Sequence, residues 1–224
     1  MPAFRTRFDD LPAEFPVFPL DGVLLLPRGR LPLNIFEQRY LAMTEDALAN
    51  GRMFAMMQPD TTLPETPNGP AMYRIGCLGR LISFSESDDG RYLITLLGLA
   101  RFTIASEIDM RRGYRRVIGD FSRFRADMHP SGEAQIDREG LMTALRGYFA
   151  RRSIDPNWDA INRLPDDNLV ITLAMVCPFE PVEKQALLEA HDDAERADTL
   201  LALLRMGAAE TAPPLGDKPG HSVS

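Results

Sequence analysis

Asp88-Asp89-Gly90 lies between two apolar stretches, residues 73–86 and 91–97, and this hairpin signature constrains the fold more than any other feature of the chain. Aspartate tolerates the left-handed region and glycine supplies positive φ without steric cost, so the two stretches must run back along one another. A lone hairpin is marginal in water and needs further strands or a helix against its apolar face. Candidates precede and follow it. Residues 16–20 and 23–26 are short apolar runs split by the turn residues Asp21-Gly22. Leu31, Leu33 and Ile35 alternate as in a half-buried strand, and residues 53–57 form another apolar run. Further strands are expected at 100–108 and 114–125. That makes a meander of about six or seven strands, enough to close a small barrel and hide its edges.

The hydrophobic period changes twice. Tyr40, Leu41, Thr44 and Leu48 fall at helical spacing and Asn50-Gly51 supplies a stop, so one helix over 37–49 interrupts the strands. Residues 59–70, with four prolines, form a loop. After residue 127 the period is helical. Leu141, Leu145, Tyr148 and Phe149 line one helix face. Residues 166–176 are apolar almost all round, which marks a buried central helix, with Asp166 or Asp167 expected as its N-cap. Pro181 opens the next helix at its first position with Glu183 in the first turn, and Ala197, Leu200, Leu201 and Leu204 share a face of a last helix over 192–206. Beyond Gly207 the chain turns to Pro, Gly and Ser, the composition of a disordered tail. The expected class is α+β: a β-barrel lobe with one inserted helix, then a helical bundle. The expected divisions are an extension over 1–14, a β-rich lobe over 15–127, a helical lobe over 128–206 and a tail over 207–224.

The formal charge of −7 disfavours contact with nucleic acid or anionic membrane. The longest apolar stretch, from Leu169 to Val176, is far below the roughly 20 residues that a membrane span needs. Arg5, Arg7, Asp9 and Asp10 interrupt any secretory leader, so a cytoplasmic location is expected, with Cys77 and Cys177 as buried free thiols.

No set of catalytic residues is legible. His129, His191 and His221 are far apart and have no metal-ligand spacing. Phosphate-binding glycine loops and a Gly-x-Ser-x-Gly elbow are missing, and neither Lys184 nor Lys218 sits where a general base would be desolvated. The acidic pairs Asp9-Asp10, Asp88-Asp89, Asp166-Asp167 and Asp192-Asp193 fit turns and helix starts, where aspartate bonds to the nearby backbone. No cofactor and no metal are expected.

Two surfaces could bind a partner. Phe36, Tyr40, Met53, Met56 and Met57 around the first helix and the following strand could form a soft apolar patch, since methionine adapts to varied partners, although core packing is the favoured reading for most of them. Arg111, Arg112, Arg115, Arg116, Arg123 and Arg125, interleaved with Tyr114, Phe121 and Phe124, have the composition of a nucleic-acid surface. Glu107, Asp109, Asp120 and Asp127 dilute that charge, and a charged edge strand explains it as well.

The order of segments adds a resemblance. Phe15 to Glu37 reads Phe-Pro-Val-Phe-Pro-Leu-Asp-Gly-Val-Leu-Leu-Leu-Pro-Arg-Gly-Arg-Leu-Pro-Leu-Asn-Ile-Phe-Glu and resembles the opening of the N-terminal domain of Lon proteases. Tyr73-Arg-Ile-Gly76, Gly98-Leu-Ala-Arg-Phe102 and Pro181-Val-Glu-Lys-Gln-Ala-Leu-Leu-Glu189 are similar to later segments of that domain, in unbroken order to about residue 206. The resemblance implies a PUA-like β-barrel and a small helical bundle. It also implies a bacterial substrate-binding module that takes unfolded or client polypeptides, without ATP and without the Ser–Lys protease chemistry. Such a module could serve as a proteolysis or chaperone adaptor, and oligomer formation stays open. The alternative is an RNA-binding PUA-like module using the arginine stretch.

Overall fold

A computed structural model describes residues 6–129 and 136–209. The strands are β1 (Glu14–Pro19), β2 (Arg30–Ile35), β3 (Met53–Met57), β4 (Ile75–Glu86), β5 (Tyr92–Arg111) and β6 (Tyr114–Asp120). Helix α1 (Gln38–Ala49) lies between β2 and β3, and α2 (Arg138–Arg151), α3 (Trp158–Asn162), α4 (Asp166–Val176), α5 (Pro181–Glu189) and α6 (Asp193–Ala209) follow the sheet. This is the expected mixed class, a β-sheet with one inserted helix and then a helical region.

The sheet order is β2-β5-β4-β3-β1-β6, and β6 also pairs with β5. Strands β5, β4, β3, β1 and β6 therefore close on themselves, and β2 hangs on the outer edge of β5. Closure depends on the length of β5. Its first part, Tyr92–Leu97, pairs with β2, and its later part, from Thr103, pairs with β6. Strand β4 runs along its other edge, with register shifts at Leu78/Gly79 and Leu81/Ser83 that bend the pair.

Four expectations about the strands need correction. The strands expected at 91–97 and 100–108 are one continuous strand. Gly98 makes this possible, because a Cβ there would stand 2.0 Å from the Leu26 carbonyl oxygen, which crosses it. Residues 23–26 form no strand. Leu24, Leu25 and Leu26 are all buried in the main core, and the Leu26 carbonyl accepts from the nearby Gly29 N–H at 2.9 Å and not from a neighbouring strand. The sheet is not a pure meander, since β1 and β3 run parallel with Val17 opposite Ala55. The strand expected to reach residue 125 stops at Asp120, and 3-10 turns take over from Ser122 to Met128.

Among the helices, Pro181 occupies the first position of α5 as expected, and Glu183 accepts from the Glu180 backbone N–H at 2.8 Å. Pro165, not an aspartate, is the N-cap of α4, and Asp166 and Asp167 fall in its first turn, where they face the positive end of the helix dipole. Helix α3 has no counterpart in the expected set. Helix α6 runs through Gly207 to Ala209, because Gly207 lets the helix pack on Tyr148. The remainder of the expected tail lies outside the described residues.

One cation joins sheet to helices. Arg101 on β5 is 3% exposed and its guanidinium bonds Asp127 twice, at 2.9 and 2.8 Å. The same group donates to the carbonyls of Leu188 (3.0 Å) and Ala190 at the end of α5, and of His191 (3.3 Å) just beyond. It also stacks on Phe124 at 4.6 Å. Arginine suits this place because five donors in a fixed fork can serve a carboxylate and a helix C-terminus together.

Candidate functional site

The end of the β4–β5 hairpin, which we call the arm, is exposed along β4 from Ile82 to Glu86 and at turn residues 88–91, while Tyr92 and Ile94 of β5 pack on the main core. Its tip is tied by backbone bonds from Ser87 N–H to the Arg91 carbonyl and from Gly90 N–H to the Ser87 carbonyl, both 2.9 Å, with Gly90 at φ 78°. The Ser87 hydroxyl donates to Asp89 at 2.6 Å, and this bond, helped by Arg91, holds the Asp89 carboxyl below its usual range. β2 lies beside the arm, with Ile35 opposite Tyr92 and Leu33 opposite Ile94.

Large apolar side chains stay in solvent on this three-stranded end. Phe36 is 62% exposed, Leu93 49%, Phe84 41% and Ile82 40%. The Phe84 and Tyr92 rings meet edge to face at 5.0 Å, and Arg91 lies over Phe36 at 5.8 Å. Register places Phe84 on the same face as Ile94 and Leu33, and Leu93 on the opposite face with Ser85 and Asn34. The other exposed large apolar residues lie away from this end: Leu63 and Ile154 outside the helices and strands, Met110 and Ile118 on the later part of β5 and on β6, and Val176, Val182 and Met206 on α4, α5 and α6. Several exposed apolar residues gathered at one end of a sheet make a candidate interaction site, whereas single exposed residues need no explanation.

Of the five apolar candidates, only Phe36 is in this place. Tyr40 is buried with its ring against Phe18, 4.0 Å between centroids. Met53, Met56 and Met57 are buried because β3 lies between β1 and β4 with both of its faces covered. Met56 belongs to the main core, while Met53 and Met57 belong to a second cluster around Phe15 and Phe102. Ile82, Phe84, Tyr92, Leu93 and Arg91 were not among the candidates. Their signal is present in Ile82-Ser83-Phe84-Ser85, a period-2 pattern beside the hairpin turn, but sequence does not reveal which end of a hairpin stays exposed.

The arginine stretch is placed differently from a cationic groove. Arg115 is buried and bonds Glu107 through two nitrogens, both at 2.8 Å. Arg116 pairs with Glu14 at 2.6 Å, Arg112 with Glu45 and Asp46 at 2.7 and 3.0 Å, and Arg111 with Asp46 at 3.3 Å. Arg123 and Arg125 stack on Phe124 and Phe8 at 5.3 and 4.1 Å.

A cleft of about 320 Å³ opens between α1, β1 and β6, lined among others by Asp46, Tyr114, Arg111 and Arg116. The Tyr114 hydroxyl donates to Asp46 at 2.6 Å. Burial first, then this bond, pushes the Tyr114 phenol up to about 12, and the same bond holds the Asp46 carboxyl below its usual range. A carboxylate already accepting from Tyr114 and Arg112 is a poor general base, because abstracting a proton would break those bonds. Burial pushes both thiols up, Cys177 to about 12, so neither is a thiolate near neutral pH. Lys184 donates to the Gly22 carbonyl at 2.6 Å. Among the described residues no three His, Cys, Asp or Glu side chains could hold a metal, and no helix is long and apolar enough to cross a membrane.

Comparison with known proteins agrees with the resemblance. The family described as the ATP-dependent protease La (LON) substrate-binding domain matches residues 14–206. Lon protease 2 of Myxococcus xanthus is 26% identical over 204 residues, which covers 88% of this chain and 24% of that protein. Lon protease of Anaeromyxobacter dehalogenans is 27% identical over 96 residues, covering 43% of this chain and 11% of that one. The chain thus spans at most about a quarter of these relatives' length. Among solved structures, the Lon N-terminal domain protein from Xanthomonas campestris superposes with a TM-score of 0.59 at 22% identity, over 84% of this chain and 97% of that one. The N-terminal domain of the Mycobacterium avium complex Lon protease gives 0.56 at 18% identity, over 89% and 100%. At these identities the structures speak for the fold.

Proposed function

The chain belongs to the family of Lon protease substrate-binding domains, and from that premise we propose that it binds unfolded or client polypeptides through the exposed end of β2, β4 and β5. The observation that carries this reading is the exposure of Phe36, Ile82, Phe84 and Leu93 at one end of β2, β4 and β5. Unfolded segments offer apolar side chains that folded surfaces hide. An arm with apolar residues on both faces can meet such segments without a fixed sequence, as promiscuous binders do. The role is recognition, in the manner of an adaptor for proteolysis or chaperoning. The arginine stretch supports no second reading, since Arg111, Arg112, Arg115 and Arg116 already face carboxylates.

The test is a double substitution, Phe36→Ser with Phe84→Ser, assayed for binding to a reduced and carboxymethylated protein. Aromatic anchors at interfaces are worth about 2 kcal/mol or more each, so losing even one should lower affinity about thirtyfold. The lost Phe84–Tyr92 contact should cost about 0.5–1.5 kcal/mol of stability, so binding is compared well below the melting midpoint of both proteins. Unchanged affinity refutes the proposal.

A further inference from the structure

Strand β2 is the outermost strand of the sheet. Its one strand partner among the described residues is β5. The hydrogen-bond register of this edge can be derived. Gly98 N–H donates to the Gly29 carbonyl at 2.9 Å, and continuing the register places Gly29 opposite Gly98. In an antiparallel ladder, bonded and non-bonded pairs alternate. Leu31, Leu33 and Ile35 therefore turn their backbone groups toward β5, and Arg30, Pro32 and Asn34 turn theirs away. The proline agrees, because it lacks an N–H and sits where no donor to β5 is required. The free edge then presents the N–H and carbonyl of Arg30, the carbonyl of Pro32, and both groups of Asn34.

We infer that β2 is an acceptor edge, and that the client segment binds as an added antiparallel or parallel strand along Arg30–Ile35, ending at the Phe36 ring. The inference rests on the polypeptide-binding reading above and specifies the conformation of what is bound. Only another extended backbone can pair with alternating donors and acceptors at strand spacing, so the edge itself selects the chemistry of its occupant. The side chains select further. Half-buried Leu31 and Leu33 border one face of the added strand, and exposed Arg30, Pro32 and Asn34 border the other. The favoured segment alternates apolar residues with polar ones and carries an apolar or aromatic residue near Phe36. Six residues of β2 guide about 20 Å of chain at about 3.3 Å per residue. A second copy of this chain is a poorer occupant. Pairing β2 with β2 puts the donor-less Pro32 of both copies into one short ladder.

The test uses a fluorescent eight-residue peptide alternating Leu with Thr, and two derivatives N-methylated at one or the other alternate set of amides. The full chain binds the parent, and methylation of the set facing β2 weakens binding at least tenfold while methylation of the other set changes it less than threefold. Asn34→Pro, which removes an outward donor and leaves the ladder to β5 intact, weakens the parent several-fold. Equal binding of both methylated peptides and the parent overturns strand addition while leaving side-chain capture by the arm standing. No binding of the parent, together with no binding of a carboxymethylated client, overturns both. A concentration-dependent dimer that Asn34→Pro abolishes assigns the edge to a second copy and overturns the client assignment.

Discussion

Arg101→Met should unfasten the helices from the barrel. The guanidinium is 3% exposed and Asp127 is 7% exposed at its side chain, so the pair is out of water. Methionine keeps much of the volume and removes the charge and all donors. Asp127 then loses two charge-assisted bonds, and the carbonyls of Leu188, Ala190 and His191 lose theirs. Removing one partner of a buried pair costs about 3–5 kcal/mol, mostly through the charge left behind. For a chain of this length 1 kcal/mol moves the midpoint by about 2–4 °C, so melting should fall by about 6–20 °C. Differential scanning calorimetry reads the shift. Arg101→Lys should also lose most of the stability, because one ammonium cannot serve a carboxylate and separated carbonyls at once. Arg101→Met with Asp127→Leu should recover part of the loss, since the second change removes the stranded carboxylate. A single-mutant midpoint within 2 °C of the parent would refute the argument that this residue couples sheet and helices.

Two other outcomes follow from the packing and the charges. Gly98→Ala should destabilise strongly or prevent folding, because the new Cβ would meet the Leu26 carbonyl oxygen at 2.0 Å, and backbone cannot yield as a flexible side chain can; circular dichroism melting reads it. Acid should weaken the chain through Asp46 and Glu107, whose carboxyls are held low chiefly by bonds from Tyr114 and Arg115. A depressed folded value means that the stabilisation is present above the ordinary carboxylate range and is lost as pH falls through the folded values. Urea midpoints should therefore drop below about pH 4 in the parent, and drop less in Tyr114→Phe with Arg115→Met; equal acid sensitivity refutes the assignment.

Local pattern made much of this architecture legible. The Asp88-Asp89-Gly90 turn, the helix over Gln38–Ala49 and the Pro181 start depend on neighbours within a few residues, and each is found where the period or the cap places it. What could not be read depends on distant chain. Residues 91–97 and 100–108 look like two strands because Gly98 looks like a break, yet the glycine serves Leu26, more than seventy residues earlier. Met53–Met57 looks like an adaptable patch because composition does not tell a covered face from an open one. The arginines look like a cationic stripe because the carboxylates facing Arg111, Arg112 and Arg116 come from α1 and β1, with Asp46 66 residues before Arg112 and Glu14 102 before Arg116, while Arg115 has its partner nearby in Glu107.

The same limitation explains why the arm was missed and why it can exist. A long apolar hairpin with an open strand beside it is an aggregation hazard, so a chain that keeps one must restrain it. The restraints are visible. Pro32 removes a donor from the free edge, serines separate the apolar residues at Ser83 and Ser85, and Glu86, Asp88, Asp89 and Arg91 charge the tip. Each of them weakens indiscriminate pairing, and Phe36, Phe84 and Leu93 stay exposed even with Arg91 over the Phe36 ring. Were the apolar residues incidental, burial or polar replacement would be the simpler remedy. Restraint around retained exposure suits the transient capture of client chain proposed above: enough apolar surface to hold an unfolded segment, and too few edge bonds to nucleate a fibre.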